Sequence, residues 1–423
     1  MKFPGKQHRT LSIIENIIFA GGFSYILYNL IITYGVGLYN SIKGKGYWGA
    51  IVGPLQTHQF QDTFISLILL MNATFFIVEI FSLLVRELKN GMHNTINGKY
   101  DFKGAFKQIS IHYKSSFLAL LVHDFLPKLI LIHMFWVWMP HFQKLQLFTV
   151  DLKWYSWVYG FICYELSSWL FHFTSHRVRL LWCLHSPHHA PSELNLTVNW
   201  VHFFAESYYS AFVRLLVLLL LGVNPMMFSV MVAIDGAWGI FIHVSENTVK
   251  DGRLGILHYL VITPAHHRAH HAKDHLYLDT NFANVLPLWD WMFGTLQPLR
   301  KEVKTNYGIL RELDVTNFSD LYFGEIFLLY RDIKDTKRIK NKLLYLFMPP
   351  GWAPASAAKT APVLRREFLK SNPHLGITSK QKLFAFTRSV VRSKKKSGVS
   401  SKDEATAAAL YGAEVVLNDT NRQ

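Results

Sequence analysis

The chain has 423 residues, half of them hydrophobic and 15% aromatic, with a formal charge of +16. Its apolar residues gather into runs of about 18–25, the length that spans a bilayer, which argues against an ordinary soluble domain. The cysteines are two, Cys163 and Cys183, which argues against a disulfide framework or a thiolate metal site.

In chain order, the runs predict four main transmembrane helices at 11–34, 64–85, 115–139 and 154–171. A fifth apolar stretch, 208–242, is broken by Gly222-Val223-Asn224-Pro225 and reads as a helical hairpin. Its arms are short and hold Arg214 and Asp235, so re-entry from one face is expected rather than two crossings. The basic start Met1-Lys2-Phe3-Pro4-Gly5-Lys6 is not followed by a short apolar core and a cleavage site, so no cleavable signal is expected. Lysines and arginines are dense before the first run and between the second and third (Arg86, Lys89, Lys99, Lys103, Lys107, Lys114). They are sparse in the loops between (Lys43, Lys45; Lys144, Lys153). Positive charge stays cytoplasmic, so the fourth helix is expected to return to the cytoplasm just before residue 172.

Three tight histidine clusters and a single follow that point, nine residues in all: His172-x-x-x-His176, His185-x-x-His188-His189, His243, and His267-x-x-His270-His271. Residues at i, i+3 and i+4 share one helix face, so each cluster is expected to aim its ring nitrogens at one point. One tetrahedral zinc takes about four ligands, and nine imidazoles suit two metal ions. Imidazoles without thiolates suit iron, zinc or copper rather than calcium or magnesium. Isolated histidines such as His58, His112, His141 and His374 read as ordinary polar residues. Charge counting puts all nine clustered ones on the cytoplasmic face, which independently supports one shared site.

Around these ligands, Glu165 is an acid inside the fourth apolar run and a candidate for the site. Asp279, Asn281 and Asp290 follow the last triplet and are candidates to accept its N–H groups. Asn247, four residues after His243, is a weaker candidate, and His266 is out of register with the triplet and reads as flanking. Beyond residue 295 basic residues dominate, and from about 389 the composition turns to that of a disordered tail. There is no G-x-G-x-x-G fingerprint, no C-x-x-C and no fused haem module, so reducing equivalents must come from outside the chain. No nucleic-acid partner is expected.

From residue 165 to 295 the chain resembles the fatty acid hydroxylase/sterol desaturase superfamily of membrane di-iron oxygenases. The resemblance rests on the three histidine motifs and on Asn195-Leu196-Thr197, Thr263-Pro264-Ala265-His266-His267, Asp279-Thr280-Asn281-Phe282 and Trp289-Asp290-x-x-Phe293-Gly294-Thr295. Tyr307-Gly308 and Pro350-Gly351-Trp352-x-Pro354 look like the branch of that family that cleaves alkylglycerol ethers.

The resemblance implies an oxidoreductase with two iron ions held by the nine histidines, dioxygen as co-substrate, and a membrane lipid as substrate. It also implies an electron-donor protein or a diffusible reductant such as tetrahydrobiopterin. The sharpest version is ether cleavage to a fatty aldehyde and a glycerol derivative. The alternative is a sterol, acyl-lipid or carotenoid hydroxylase or desaturase on the same site.

The expected fold is an all-α integral membrane protein of four main transmembrane helices plus a helical hairpin, with a cytoplasmic helical cap enclosing a histidine-rich dimetal site. The expected division is 1–150 for the N-terminal membrane helices, 151–299 for the catalytic domain, 300–388 for a basic cytoplasmic region and 389–423 for the tail.

Overall fold

The computed structural model describes residues 138–376, apart from 304, 312, 315–316 and 355–357, together with short pieces at 77–79, 81–82, 85–86 and 118–119. The chain up to Ser371 forms one compact unit, and Asn372–Gln423 a second, in which the turn Pro373–Leu375 is described. Regular structure among the described residues is helical; the sole β-type pairing there is a bridge between Ala272 and Tyr307.

A short helix α1 (Met139–Gln143) leads to α2 (Trp154–Arg177), α3 (Arg179–His189), α4 (Glu206–Leu220) and α5 (Phe228–Ile242). Then come α6 (Pro264–His271), α7 (Leu288–Met292), α8 (Phe318–Asp335), α9 (Ile339–Phe347) and α10 (Ala361–Ser371). The break between α2 and α3 is one residue, Val178, held extended at φ −116°. Its amide still bonds to Thr174 O, so the two helices bend without separating.

The expected hairpin is α4 and α5. Each has 15 residues, about 22 Å of helix, shorter than the roughly 30 Å apolar layer of a bilayer. Gly160 on α2 lets α5 close in: a Cβ there would lie 2.6 Å from Met231 Cε. Tyr164, Leu218, Val223, Met227, Phe228 and Met231 form the resulting core. Each such side chain, fully buried, contributes roughly 1.5–3 kcal/mol.

On the other side of α2, Trp169 packs with Ile242, Ile262, Phe282 and Ala283. A third cluster joins Ala190, Val201 and Phe203 to Leu321 and Tyr322 of α8. Ion pairs reinforce it: Glu325 of α8 meets Arg179 at 3.5 Å and Arg311 at 2.8 Å. Arg365 of α10 donates to Leu276 O and Gln297 Oε1. Residues beyond 299 therefore share their packing with the histidine-bearing helices.

Among the described residues no helix is long and apolar enough to cross a membrane. The fourth expected span is α2. At 24 residues, about 36 Å, it has the length. It lacks the continuous apolar composition, because Glu165, His172, His176 and Arg177 lie along it. The other three expected spans lie almost wholly outside the described residues, as does the expected tail.

Candidate dimetal centre

The structure brings all nine predicted histidines together. They resolve into two groups, His172, His176, His185, His189 and His270 in one, and His188, His243, His267 and His271 in the other. Within each group the candidate ligand atoms lie within 4.8 Å of one another.

The division cuts through both triplets, contrary to the expectation that each triplet aims at one point. At about 100° per residue, positions i and i+4 lie about 40° apart, whereas i+3 lies about 60° to the other side. So His185 and His189 serve one group and His188 the other. On α6, His267 and His271 serve the second group and His270 the first. The two helices exchange their middle histidines, and the stacked rings of His189 and His271, 4.3 Å apart, sit between the groups.

Local sequence explains why α6 can stand here. Thr263 and His266 close a capping box, with Pro264 in the first turn. Ala265 and Ala269 are fully buried, which admits close neighbours. Arg268 reaches back to the carbonyls of Val244, Val249 and Lys250 and lays the segment after His243 across the helix. Gly252 is required beneath it, at φ +69°, since a Cβ would lie 2.9 Å from Ala265 N.

Most rings are oriented through Nδ1. His172 donates to Phe282 O (2.8 Å), His188 to Val198 O (3.0 Å), His243 to Gly239 O (2.5 Å) and His270 to Thr280 O (2.7 Å). His185 Nδ1 meets Glu206 Oε1 at 2.6 Å, and His176 Nδ1 lies 3.4 Å from Asp279 Oδ1. A neutral ring that donates from Nδ1 presents a lone pair at Nε2.

Nε2 atoms face one another: His243 with His188 at 3.2 Å and with His267 at 2.8 Å, His271 with His267 at 3.0 Å, and His189 with His185 at 3.2 Å; Nδ1 of His267 is buried without a partner. Nε2 of His172, His176 and His270 is buried without a partner. Lone pairs converging at about 3 Å match neighbouring ligands on metal–nitrogen bonds of about 2.0–2.1 Å. The donor set therefore fits two metal ions.

Burial, followed by the proximity of other imidazoles, favours the neutral form in six of these rings. It holds His172, His176, His188, His189, His267 and His271 well below the ordinary histidine range. Burial likewise lowers His243 and His270 to about 3, against the opposing carbonyl contacts of Gly239 and Thr280. Neutral imidazole is the form that binds metal.

The carboxylates distribute differently from expectation. Glu165 does not meet an imidazole: its Oε2 accepts from Val285 N (3.0 Å) and Leu286 N (2.7 Å). Asn281 bonds to His266 O, Gln297 O and Gln297 N, fixing a turn rather than a ring. Asp279 faces His176 of the first motif and Arg177 (3.2 Å), not the last triplet. Burial raises its carboxyl to about 6, against Arg177 and Arg365. Asp279 and Asn281 take positive φ, 54° and 55°, a region Asp and Asn enter more readily than most residues. That turn delivers the carbonyls of Thr280 and Phe282 to His270 and His172.

Asp290 anchors the same turn, accepting from Phe282 N, Ala283 N, Trp169 Nε1 and Thr295 Oγ1. Asn247 bonds to Ser245, and His266 stacks on His258 at 4.0 Å. Sequence reading missed Glu79, whose carboxylate ties Leu196 N to Ser245 N (2.7 and 2.8 Å) across the site. It also missed His202 and Glu206; their i, i+4 spacing on the stretch leading into α4 was the available signal.

Residues 157–295, which carry all nine histidines, match the family model described as fatty acid hydroxylase. Individual relatives are more specific. The alkylglycerol monooxygenase of Xenopus tropicalis is 28% identical over 215 residues, covering 48% of this chain and 45% of the relative. That of Homo sapiens is 27% identical over 215 residues, covering 50% and 46%. An ornithine lipid hydroxylase of Rhizobium tropici is 27% identical over 152 residues, covering 36% and 45%. The chain spans about half the length of the curated relatives it matches. No solved structure matches it.

Proposed function

We propose that the chain is a membrane-bound di-iron monooxygenase that oxidises a C–H bond of a lipid, and that alkylglycerol ethers are its substrates. The observation that carries this reading is the pair of converging imidazole groups, five and four strong. Too many nitrogen donors converge for one zinc, and no thiolate is among them. Two ferrous ions held there would supply reductive activation of dioxygen and hydrogen abstraction from an unactivated carbon.

The protein's part is to hold and orient. His172, His176, His185, His189 and His270 would hold one ion, and His188, His243, His267 and His271 the other. Backbone carbonyls fix four of the rings, and Glu206 and Asp279 face two more. Phe282, fully buried, lies against the rings of His172, His176 and His270 at 5.1–5.8 Å and keeps water from that side.

Lipid specificity is supported by the relatives named for alkylglycerol and ornithine lipid. Hydroxylation of the carbon beside an ether oxygen gives a hemiacetal, which collapses to an aldehyde and an alcohol. Membrane attachment is supported by the apolar runs and by exposed Trp154, Val158 and Leu147 at the start of the described body. An active site on the cytoplasmic face follows from the lysine and arginine distribution. The electrons come from a partner protein or from a diffusible reductant such as tetrahydrobiopterin.

The match to an ornithine lipid hydroxylase favours a second reading, hydroxylation that leaves the lipid intact. Metal content of the detergent-purified full chain tests the core. About two irons are expected, falling sharply in His188→Ala and His270→Ala. One zinc per chain, or no loss in the variants, would overturn the di-iron reading. Product analysis then separates a fatty aldehyde plus glycerol derivative from an intact hydroxylated lipid.

A further inference from the structure

We propose that Glu206 is a positioning residue of the five-histidine group, acting through His185, and that its hydrogen bonds reach His185 and His202 but no ring of the four-histidine group, so that one side chain can separate the two metal sites. The inference rests on the two-metal reading above. Glu206 opens the first turn of α4, where the helix dipole favours a carboxylate. It is 2% exposed, yet both oxygens are engaged. Oε1 accepts from His185 Nδ1 at 2.6 Å and Oε2 from His202 Nδ1 at 2.8 Å. The ring of His202 lies flat on His188, 4.3 Å away at 13°. The carboxylate is thereby fixed from both sides, and its orientation cannot drift away from His185.

The consequence lies in which tautomer His185 adopts. A hydrogen held on Nδ1 by Glu206 leaves a lone pair on Nε2, which faces His189 Nε2 at 3.2 Å inside the five-histidine group. Backbone carbonyls perform the same service for His172, His188, His243 and His270, and no substitution of a side chain removes those acceptors. In the four-histidine group no ring nitrogen meets a carboxylate among the described residues. Loss of Glu206 therefore frees one ligand of one group to carry its hydrogen on Nε2, pointed at the metal position.

The expected behaviour differs between two variants. Glu206→Leu keeps the volume and removes the acceptor. Glu206→Gln keeps one carbonyl oxygen for His185 and turns its amide toward His202, whose ring is partly exposed and can carry its hydrogen on Nε2 instead. The Gln variant should therefore rescue what the Leu variant loses.

The test uses the full chain in detergent, stripped by chelator and titrated anaerobically with Co2+. Bound metal, the visible ligand-field spectrum and the melting temperature of the stripped protein are recorded. Wild type should take up about two ions and Glu206→Gln about two. Glu206→Leu should keep about one, the other site binding at least about 10-fold more weakly, with the stripped protein melting as wild type does. The remaining ion should show the spectrum of an imidazole-only site.

Retention of both ions at wild-type affinity in Glu206→Leu would overturn the proposal. So would parallel loss of both, or a Gln variant no better than Leu. If Glu206→Leu does not fold, Glu206→Asp, which withdraws the acceptor by one methylene, carries the same expectation. Wild type that binds no metal would instead sink the two-metal reading itself.

Discussion

Replacing Asp290 by Ala tests whether the turn that aims two imidazoles is held from beneath. The carboxylate is fully buried and accepts four hydrogen bonds, from Phe282 N (2.8 Å), Ala283 N (2.8 Å), Trp169 Nε1 (3.1 Å) and Thr295 Oγ1 (2.6 Å). Removing it leaves two buried amide donors without acceptors, each costing about 1–3 kcal/mol. The indole and hydroxyl donors lose a bond each, and against this stands the desolvation of the carboxylate, which is no longer needed. The net loss is about 3–5 kcal/mol, with the two amides dominating. For the unit ending at Ser371, at about 2.1 cal/mol/K of unfolding entropy per residue, that corresponds to roughly 4–6 °C in Tm.

The same turn presents Thr280 O to His270 and Phe282 O to His172, so the five-histidine group should also lose metal. The assay is thermal unfolding of the stripped and loaded protein in detergent, with Thr295→Val as control. The control removes a single bond to the carboxylate and should cost about 1 kcal/mol. An Asp290→Ala shift no larger than that of Thr295→Val would refute the argument.

His243→Ala removes one of four ligands from the second group, and bound metal measured by elemental analysis should fall from about two ions to about one. A variant that still holds two would place His243 outside the ligand set. In the stripped protein, His243 and His270 are lowered to about 3 by burial, while unfolded histidine titrates near 6.5. The unfolded chain therefore binds protons first, so their contribution to stability is complete above about pH 6.5 and is lost as pH falls toward 3. Melting temperatures measured at intervals from pH 7 to pH 4 should decline, and a flat profile would contradict this. Glu325→Ala removes the partner that Arg179 and Arg311 share; each keeps a second carboxylate, Asp332 at 3.7 Å and Asp320 at 3.0 Å, so the cost should be about 2 kcal/mol in denaturant unfolding. A loss below about 1 kcal/mol would mean that the apolar cluster alone holds α8. Full-length protein should stay with the membrane pellet after alkaline carbonate washing, and its release would count against the predicted spans.

The sequence by itself marked the histidines that the fold brings together. Two H-x-x-H-H triplets, one H-x-x-x-H pair and a late single histidine are legible because metal ligands must be of a few residue types and because helix spacing places them on nearby turns. It also determined that α4 and α5 would be a short hairpin, since Gly222 and Asn224-Pro225 interrupt the apolar run.

The tertiary structure decided which imidazole joins which group. His188 and His270 leave their own triplets because an i+3 side chain points about 100° away from i+4, and only the crossing of α3 and α6 says where that direction leads. The supporting groups were less legible for the same reason. Glu165 and Asn281 stand close in sequence to ligands, yet they bond to loop backbone. Glu206 lies 21 residues from His185, and Glu79 bridges segments more than 100 residues away. Proximity along the chain sets only what a side chain can reach within a helix turn or two. Partners across a buried site are set by packing, which the linear order of residues does not contain.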